Sequence, residues 1–98
     1  MEKVNEDLLK KAINTWGKTA QLLMVLEEMS ELQKEILKNI NPGKDNLDQI
    51  VDETADVEIM LEQLKYIFGI HKQVEDRIPV KLEKVKARLE VENGSVGN

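Results

Sequence analysis

Apolar residues recur along the chain at helical spacing and predict four helices separated by short breaks. The four periodic segments cover approximately residues 5–15, 18–39, 47–68 and 71–91. Gly17, Pro42, Gly43 and Gly69 mark the breaks, because glycine and proline end helices. Pro79 lies inside the fourth segment and predicts either a kink or a new helix start. The pattern therefore predicts an all-α, four-helix bundle-like subunit.

The ends of these segments carry the usual signals of helix termini. Asn5 is predicted to cap the first helix, and Asp45 or Asn46 to cap the third. Residues 93–98 are small and polar, and we expect them to form a flexible tail. Residues 1–92 are then one helical domain, since a chain of 98 residues has room for little more.

An acid interrupts the apolar stripe of the third helix. The stripe has a 3,4,3,4,3 spacing and consists of Ile50, Glu53, Val57, Met60, Leu64 and Ile67. A carboxylate on a core-facing seam loses hydration, so it must be neutralised, paired with a cation or bound to a metal. Glu53 is therefore the first candidate for a functional residue.

Further acids on the second and third helices repeat this pattern. Asp56 follows Glu53 by three residues, and a strip of Met24, Glu28, Glu31 and Glu35 runs along the second helix. We expect this strip to lie away from the centre of that helix's apolar arc. Three interpretations stay open: a solvated face, a buried ion pair with Lys or Arg, and a site for Mg²⁺ or Mn²⁺, which prefer oxygen ligands.

Two acidic motifs lie on these helices, one on each side of the Pro-Gly loop. They read Glu27-Glu28-Met29-Ser30-Glu31 and Glu53-Thr54-Ala55-Asp56. Their order resembles the EExxE and ExxD signature of the MazG-type, all-alpha nucleoside triphosphate pyrophosphohydrolases. The resemblance extends over about residues 16–64.

The resemblance implies a four-helix subunit of the all-alpha NTP pyrophosphatase type. It implies an enzyme that hydrolyses (d)NTP to (d)NMP and pyrophosphate with Mg²⁺, or Mn²⁺ as a substitute, including the house-cleaning of non-canonical nucleotides. The implied metal ligands are Glu28, Glu31, Glu53 and Asp56. A free carboxylate nearby, Glu27 or Glu35, is the candidate catalytic acceptor of a proton from water.

Basic residues line one side of the predicted fourth helix. Arg77, Lys81, Lys84 and Arg88 repeat at a 4,3,4 spacing. One interpretation is a solvent-exposed face that pairs with neighbouring acids such as Glu83 and Glu90. The other is that Lys81, Lys84 or Arg88 binds the phosphates of a nucleotide.

The aromatic residue at the end of the first helix is open to two interpretations. Trp16 is either part of the core or a platform on which a nucleotide base stacks.

Composition limits the partners. The formal charge of −5 argues against duplex nucleic acid, which binds proteins with excess Lys and Arg. The sequence has no cysteine, no segment resembling a signal peptide and no apolar run long enough for a membrane span, so we expect a soluble, cytoplasmic protein. Because a chain this short buries a limited core, we expect a homodimer or homotetramer. The alternative function is a non-catalytic helical oligomerisation or interaction module.

Overall fold

The computed structural model describes residues 3–97, with side chains for residues 5–93. It contains four α-helices: α1 Lys3–Trp16, α2 Lys18–Ile40, α3 Leu47–Phe68 and α4 His71–Gly97. The predicted all-α, four-helix subunit is therefore confirmed. Helix α1 already includes Lys3, so Asn5 lies within its first turn and the prediction of a cap at Asn5 is wrong.

Helices α2 and α3 form a hairpin that contains most of the contacts between helices. The predicted stripe of α3 is confirmed, because all of its residues, Glu53 included, are half-buried. On α2 the buried residues are Gln21 and Val25. Helix α1 packs against both helices of the hairpin and buries Leu9 and Ile13. The core is thus a thin layer between three helices.

Part of the acidic strip of α2 is packed rather than fully exposed. Glu28 and Glu35 are half-buried on the same side of α2 as Val25 and Leu32, whereas Leu26 is exposed. The apolar arc of α2 is wider than one neighbouring helix can cover, so part of it, including Leu26, stays exposed.

The loop between α2 and α3 is fixed by a buried asparagine. The Asn46 side chain is only 1% exposed and donates hydrogen bonds to the backbone oxygen of Glu35 at 2.8 Å and to its Oε1 at 2.9 Å. Its own Oδ1 accepts a hydrogen bond from Asn39 at 3.2 Å. Asn46 precedes α3 as predicted, but its side chain does not cap that helix. Instead, it attaches the start of α3 to the end of α2.

The predicted breaks at two glycines are confirmed. Gly69 ends α3 in the left-handed conformation with φ 64°, and Gly17 separates α1 from α2 with φ 94°. Helix α4 continues through Pro79 without a new start, so that alternative is wrong. The helix extends to Gly97, while Asn98 and the side chains of residues 94–97 lie outside the described residues, and the flexible tail stays a prediction.

Helix α4 projects from the other three helices. Every residue from 75 to 93 is exposed, and α4 has no substantial packing against α1, α2 or α3. The radius of gyration is 17.7 Å, compared with about 13 Å for a compact domain of this length. Among the described residues, no helix is both long and apolar enough to cross a membrane.

Candidate metal site

Three carboxylates from two helices converge within the hairpin. Glu28 of α2 and Glu53 and Asp56 of α3 each place one oxygen within 4.8 Å of the others. Glu28 and Glu53 are half-buried, whereas Asp56 is exposed. The hairpin therefore brings together three of the four predicted metal ligands, with one side open to solvent.

One buried oxygen of this cluster has no hydrogen-bond partner among the described residues. Glu53 Oε2 is buried and accepts no hydrogen bond in the described structure. Within residues 5–93, none of the ion pairs involves Glu28, Glu53 or Asp56. No cation among the described residues therefore supports the interpretation of Glu53 as one half of a buried ion pair. An unpartnered carboxylate oxygen beside two more carboxylates fits a hard divalent cation, which takes oxygen ligands.

The negative charges of the cluster favour the binding of a cation. Burial raises the pKa of the Glu28 carboxyl above its ordinary value of 4.5, and the negative charges of Asp56 and Glu53 raise it further. The ionised cluster repels itself, and a bound cation would relieve this repulsion.

The fourth predicted ligand lies outside the cluster. Glu31 is one turn beyond Glu28, and its Oε2 lies 3.7 Å from Nζ of Lys34. Both side chains of this pair are well exposed, so the ion pair contributes little to stability. Glu31 lies on the same acidic strip of α2 as Glu28, but it is not among the three converging carboxylates.

Glu35 has a structural role in the described fold. Its Oε1 accepts a hydrogen bond from Asn46, and its Oε2 accepts one from Lys38 at 3.2 Å. The Asn46 hydrogen bond and then the Lys38 hydrogen bond lower the pKa of the Glu35 carboxyl. A carboxylate with both oxygens engaged and a lowered pKa is a weak proton acceptor.

An apolar cavity opens between the end of α1 and the first half of α2. Its volume is about 540 Å³, within the range of small-molecule sites. The lining residues come from the end of α1 and the first half of α2: Trp16, Ala20, Gln21, Leu23, Met24 and Glu27. Met24, which lines the cavity, lies one turn before Glu28 of the cluster on α2.

Two predicted residues belong to this cavity. Trp16 is 65% exposed, so the interpretation of Trp16 as a core residue is wrong. Glu27 is exposed and has no ion pair with the side chains that the structure describes. Leu23, which sequence reasoning missed, lines the same cavity. Helical spacing could not have found it, because Gly17 separates Trp16 in α1 from Leu23 in α2.

The basic stripe of α4 is not brought to the cluster within one chain. Lys81, Lys84 and Arg88 are exposed on the projecting helix. Arg88 pairs with Glu92 at 3.8 Å rather than with Glu83 or Glu90. Their role in phosphate binding stays a prediction.

Two buried glutamines also escaped sequence reasoning. Gln21 is 4% exposed and Gln63 is 2% exposed, and Gln63 Oε1 has no hydrogen-bond partner among the described residues. Gln63 directly precedes Leu64, so the packed side of α3 extends beyond the predicted apolar stripe and includes a polar residue. The buried layer therefore contains polar side chains from both α2 and α3.

Comparison of the chain with protein-family models, curated proteins and solved structures finds no match. The resemblance to the MazG-type family thus depends on the two acidic motifs alone.

Proposed function

We propose that the chain is a Mg²⁺-dependent nucleoside triphosphate pyrophosphohydrolase that converts (d)NTP to (d)NMP and pyrophosphate. The observation that supports this most directly is the three-carboxylate cluster, in which Glu53 Oε2 is buried without a partner. A stable hairpin does not require a carboxylate with a buried, unpartnered oxygen at this position, because an apolar residue would stabilise the fold more. A functional ligand gives such a reason.

In this proposal Glu28, Glu53 and Asp56 hold the cation, and Glu31 is an additional ligand that the resemblance implies. When bound, Mg²⁺ screens the charge of the phosphates and lowers the pKa of a coordinated water. Of the two candidate proton acceptors, Glu27 is the better one, since Glu35 is already engaged by Asn46 and Lys38. The cavity lined by Trp16 and Met24 then receives the nucleoside, with its base against Trp16.

A nucleotide panel tests the proposed reaction. Purified protein is incubated with each common NTP and dNTP in Mg²⁺, and pyrophosphate and orthophosphate are measured separately. We expect pyrophosphate as the primary product and no turnover in EDTA. Orthophosphate as the primary product would reject this reaction, and no turnover of any nucleotide by folded protein would favour the alternative function.

The alternative is a non-catalytic helical interaction module. It is favoured by one observation, namely that large apolar residues of α2, α3 and α4 are exposed in the single chain. Self-association is compatible with either function. The two candidates are therefore separated by turnover and not by oligomeric state.

Substitution of Trp16 tests the assignment of the cavity. If a base stacks on this ring, Trp16→Leu should raise KM about tenfold with little change in kcat, since stacking on an aromatic ring contributes about 1–3 kcal/mol. Trp16→Phe keeps an aromatic ring and should retain most of the affinity. Trp16 is the only tryptophan, so its fluorescence should also report nucleotide binding directly. Equal KM values for all three proteins would place the base elsewhere.

A further inference from the structure

The apolar cavity between α1 and α2 has one buried polar side chain in its wall. Gln21 is only 4% exposed, whereas the other residues that line the cavity are exposed. The backbone N–H of Gln21 donates a hydrogen bond to the Gly17 oxygen at 3.1 Å, which holds the residue in the first turn of α2. Gln21 thus brings a carboxamide into a largely apolar cavity.

The Gln21 amide has no partner in its own chain. Among the described residues, no hydrogen bond involves this side chain. The fully buried side-chain atoms without a partner in that range are Glu53 Oε2 and Gln63 Oε1, so the Gln21 amide keeps contact with the cavity. A carboxamide has an acceptor oxygen and a donor NH₂ group, and leaving both unpaired in a packed region lowers stability. Such an amide indicates a group that pairs with a ligand.

The position of Gln21 along α2 fits a nucleotide that reaches the acidic cluster. Gln21 precedes Glu28 by seven residues, which is two turns on the same side of the helix and about 10 Å along its axis. In a nucleoside triphosphate, the ribose and the α-phosphate separate the base from the terminal phosphates over a similar length. A nucleotide whose phosphates meet a cation at Glu28 therefore has its base near Gln21.

We propose that Gln21 selects the base of the nucleotide through paired hydrogen bonds between its carboxamide and one edge of the base. This inference rests on the proposed function and assigns the specificity of that site to one residue. Each base offers a donor beside an acceptor, and glutamine can pair with both at once. A site with a buried hydrogen-bonding group rejects a substrate that leaves this group unpaired.

The order of donor and acceptor determines which bases fit. Adenine and cytosine offer an amino donor beside a ring-nitrogen acceptor, whereas guanine, uracil and thymine offer a carbonyl acceptor beside a ring N–H donor. Because the ribose must point toward the acidic cluster, the base cannot turn over to exchange the two groups. Gln21 should therefore separate the amino bases from the keto bases by about tenfold or more in kcat/KM.

Two substitutions of Gln21 test this role on the panel of nucleotides with Mg²⁺. Gln21→Met keeps the length of the side chain but removes both hydrogen-bonding groups. It should lower kcat/KM for the preferred bases about tenfold or more, so that all bases become nearly equal. Gln21→Glu replaces the donor by a second acceptor. It should raise kcat/KM for guanine relative to the other bases about tenfold, since guanine offers two adjacent donors at N1 and its 2-amino group.

Gln63→Met is the matched control. It removes the other buried glutamine amide of the hairpin, and Gln63 does not line the cavity. This variant should keep the native order of bases. Circular dichroism checks that the three variants stay helical.

The fluorescence of Trp16 separates failure of this inference from failure of the proposed reaction. Binding of α,β-imido analogues of the NTPs, which cannot release pyrophosphate, is measured on the same four proteins. Hydrolysis with equal kcat/KM for all bases in the native protein, or with an order that neither Gln21 variant changes, would overturn the role of Gln21 and leave the reaction intact. Base-dependent binding that Gln21→Met abolishes, without hydrolysis of any NTP, would support Gln21 and reject the reaction. Neither binding nor hydrolysis would overturn both.

Discussion

Replacing Glu53 by leucine is expected to abolish nucleotide hydrolysis and to stabilise the fold at the same time. The carboxylate is half-buried, its Oε2 has no partner in the described structure, and two more acids lie within 4.8 Å. Leucine would continue the apolar stripe between Ile50 and Val57, so we expect a gain of about 1–3 kcal/mol in the free energy of unfolding. Loss of a metal ligand should lower kcat/KM by about a thousandfold or more.

Thermal unfolding and turnover are measured on the same preparations. Asp52→Asn is the matched control, since it removes an exposed acid adjacent to Glu53 and should change neither quantity. Glu53→Gln should lose activity with a smaller gain in stability, because its amide remains a buried polar group. Stabilisation with full activity would show that Glu53 is no ligand, and unfolding of Glu53→Leu would contradict its position on the seam.

Replacing Asn46 by alanine is expected to destabilise the hairpin more than any other loop substitution. The buried amide donates two hydrogen bonds to Glu35 and accepts one from Asn39. Its removal should lower the free energy of unfolding by about 2–3 kcal/mol, because the remaining groups are left partly unsatisfied. Asp45→Ala, at the exposed neighbouring position, is the control and should have little effect.

The effect of Asn46→Ala should also depend on pH. The Asn46 hydrogen bond lowers the pKa of the Glu35 carboxyl below its ordinary value of 4.5. A lowered pKa stabilises the fold above the pKa of the unfolded chain, and this contribution is lost as pH falls through the folded-state pKa. The difference in stability between the native protein and Asn46→Ala should therefore shrink on acidification below about pH 4.5. A difference that grows in acid would contradict this role of Asn46.

Helix positions were predictable because they depend on local signals. The bounds of α3 agree with the prediction, since the loop at Pro42 and Gly43 and the left-handed Gly69 define both ends. The start of α1 and the continuity of α4 through Pro79 were not predictable from such signals. A proline in the middle of an amphipathic segment is equally compatible with continuation and with a new start, and only the assembled backbone decides.

The candidate site was predictable where a residue type conflicts with its position. Glu53 stands out as an acid on an apolar stripe, and the i,i+3 spacing adds Asp56. The exclusion of Glu31 from the cluster depends on how far α2 is rotated about its axis, which the sequence alone does not give. Trp16 was ambiguous because an aromatic residue at a helix end is equally consistent with a core and with the wall of an open cavity.

Manganese binding followed by electron paramagnetic resonance tests the central claim most directly. The signal of free Mn²⁺ is titrated with the native protein and with Glu53→Gln, Asp56→Asn and Asp52→Asn. We predict saturable binding by the native protein and by Asp52→Asn, and at least about tenfold weaker binding by the other two variants. Equal affinity in all four proteins, or no binding by the native protein, would contradict a metal site formed by Glu28, Glu53 and Asp56.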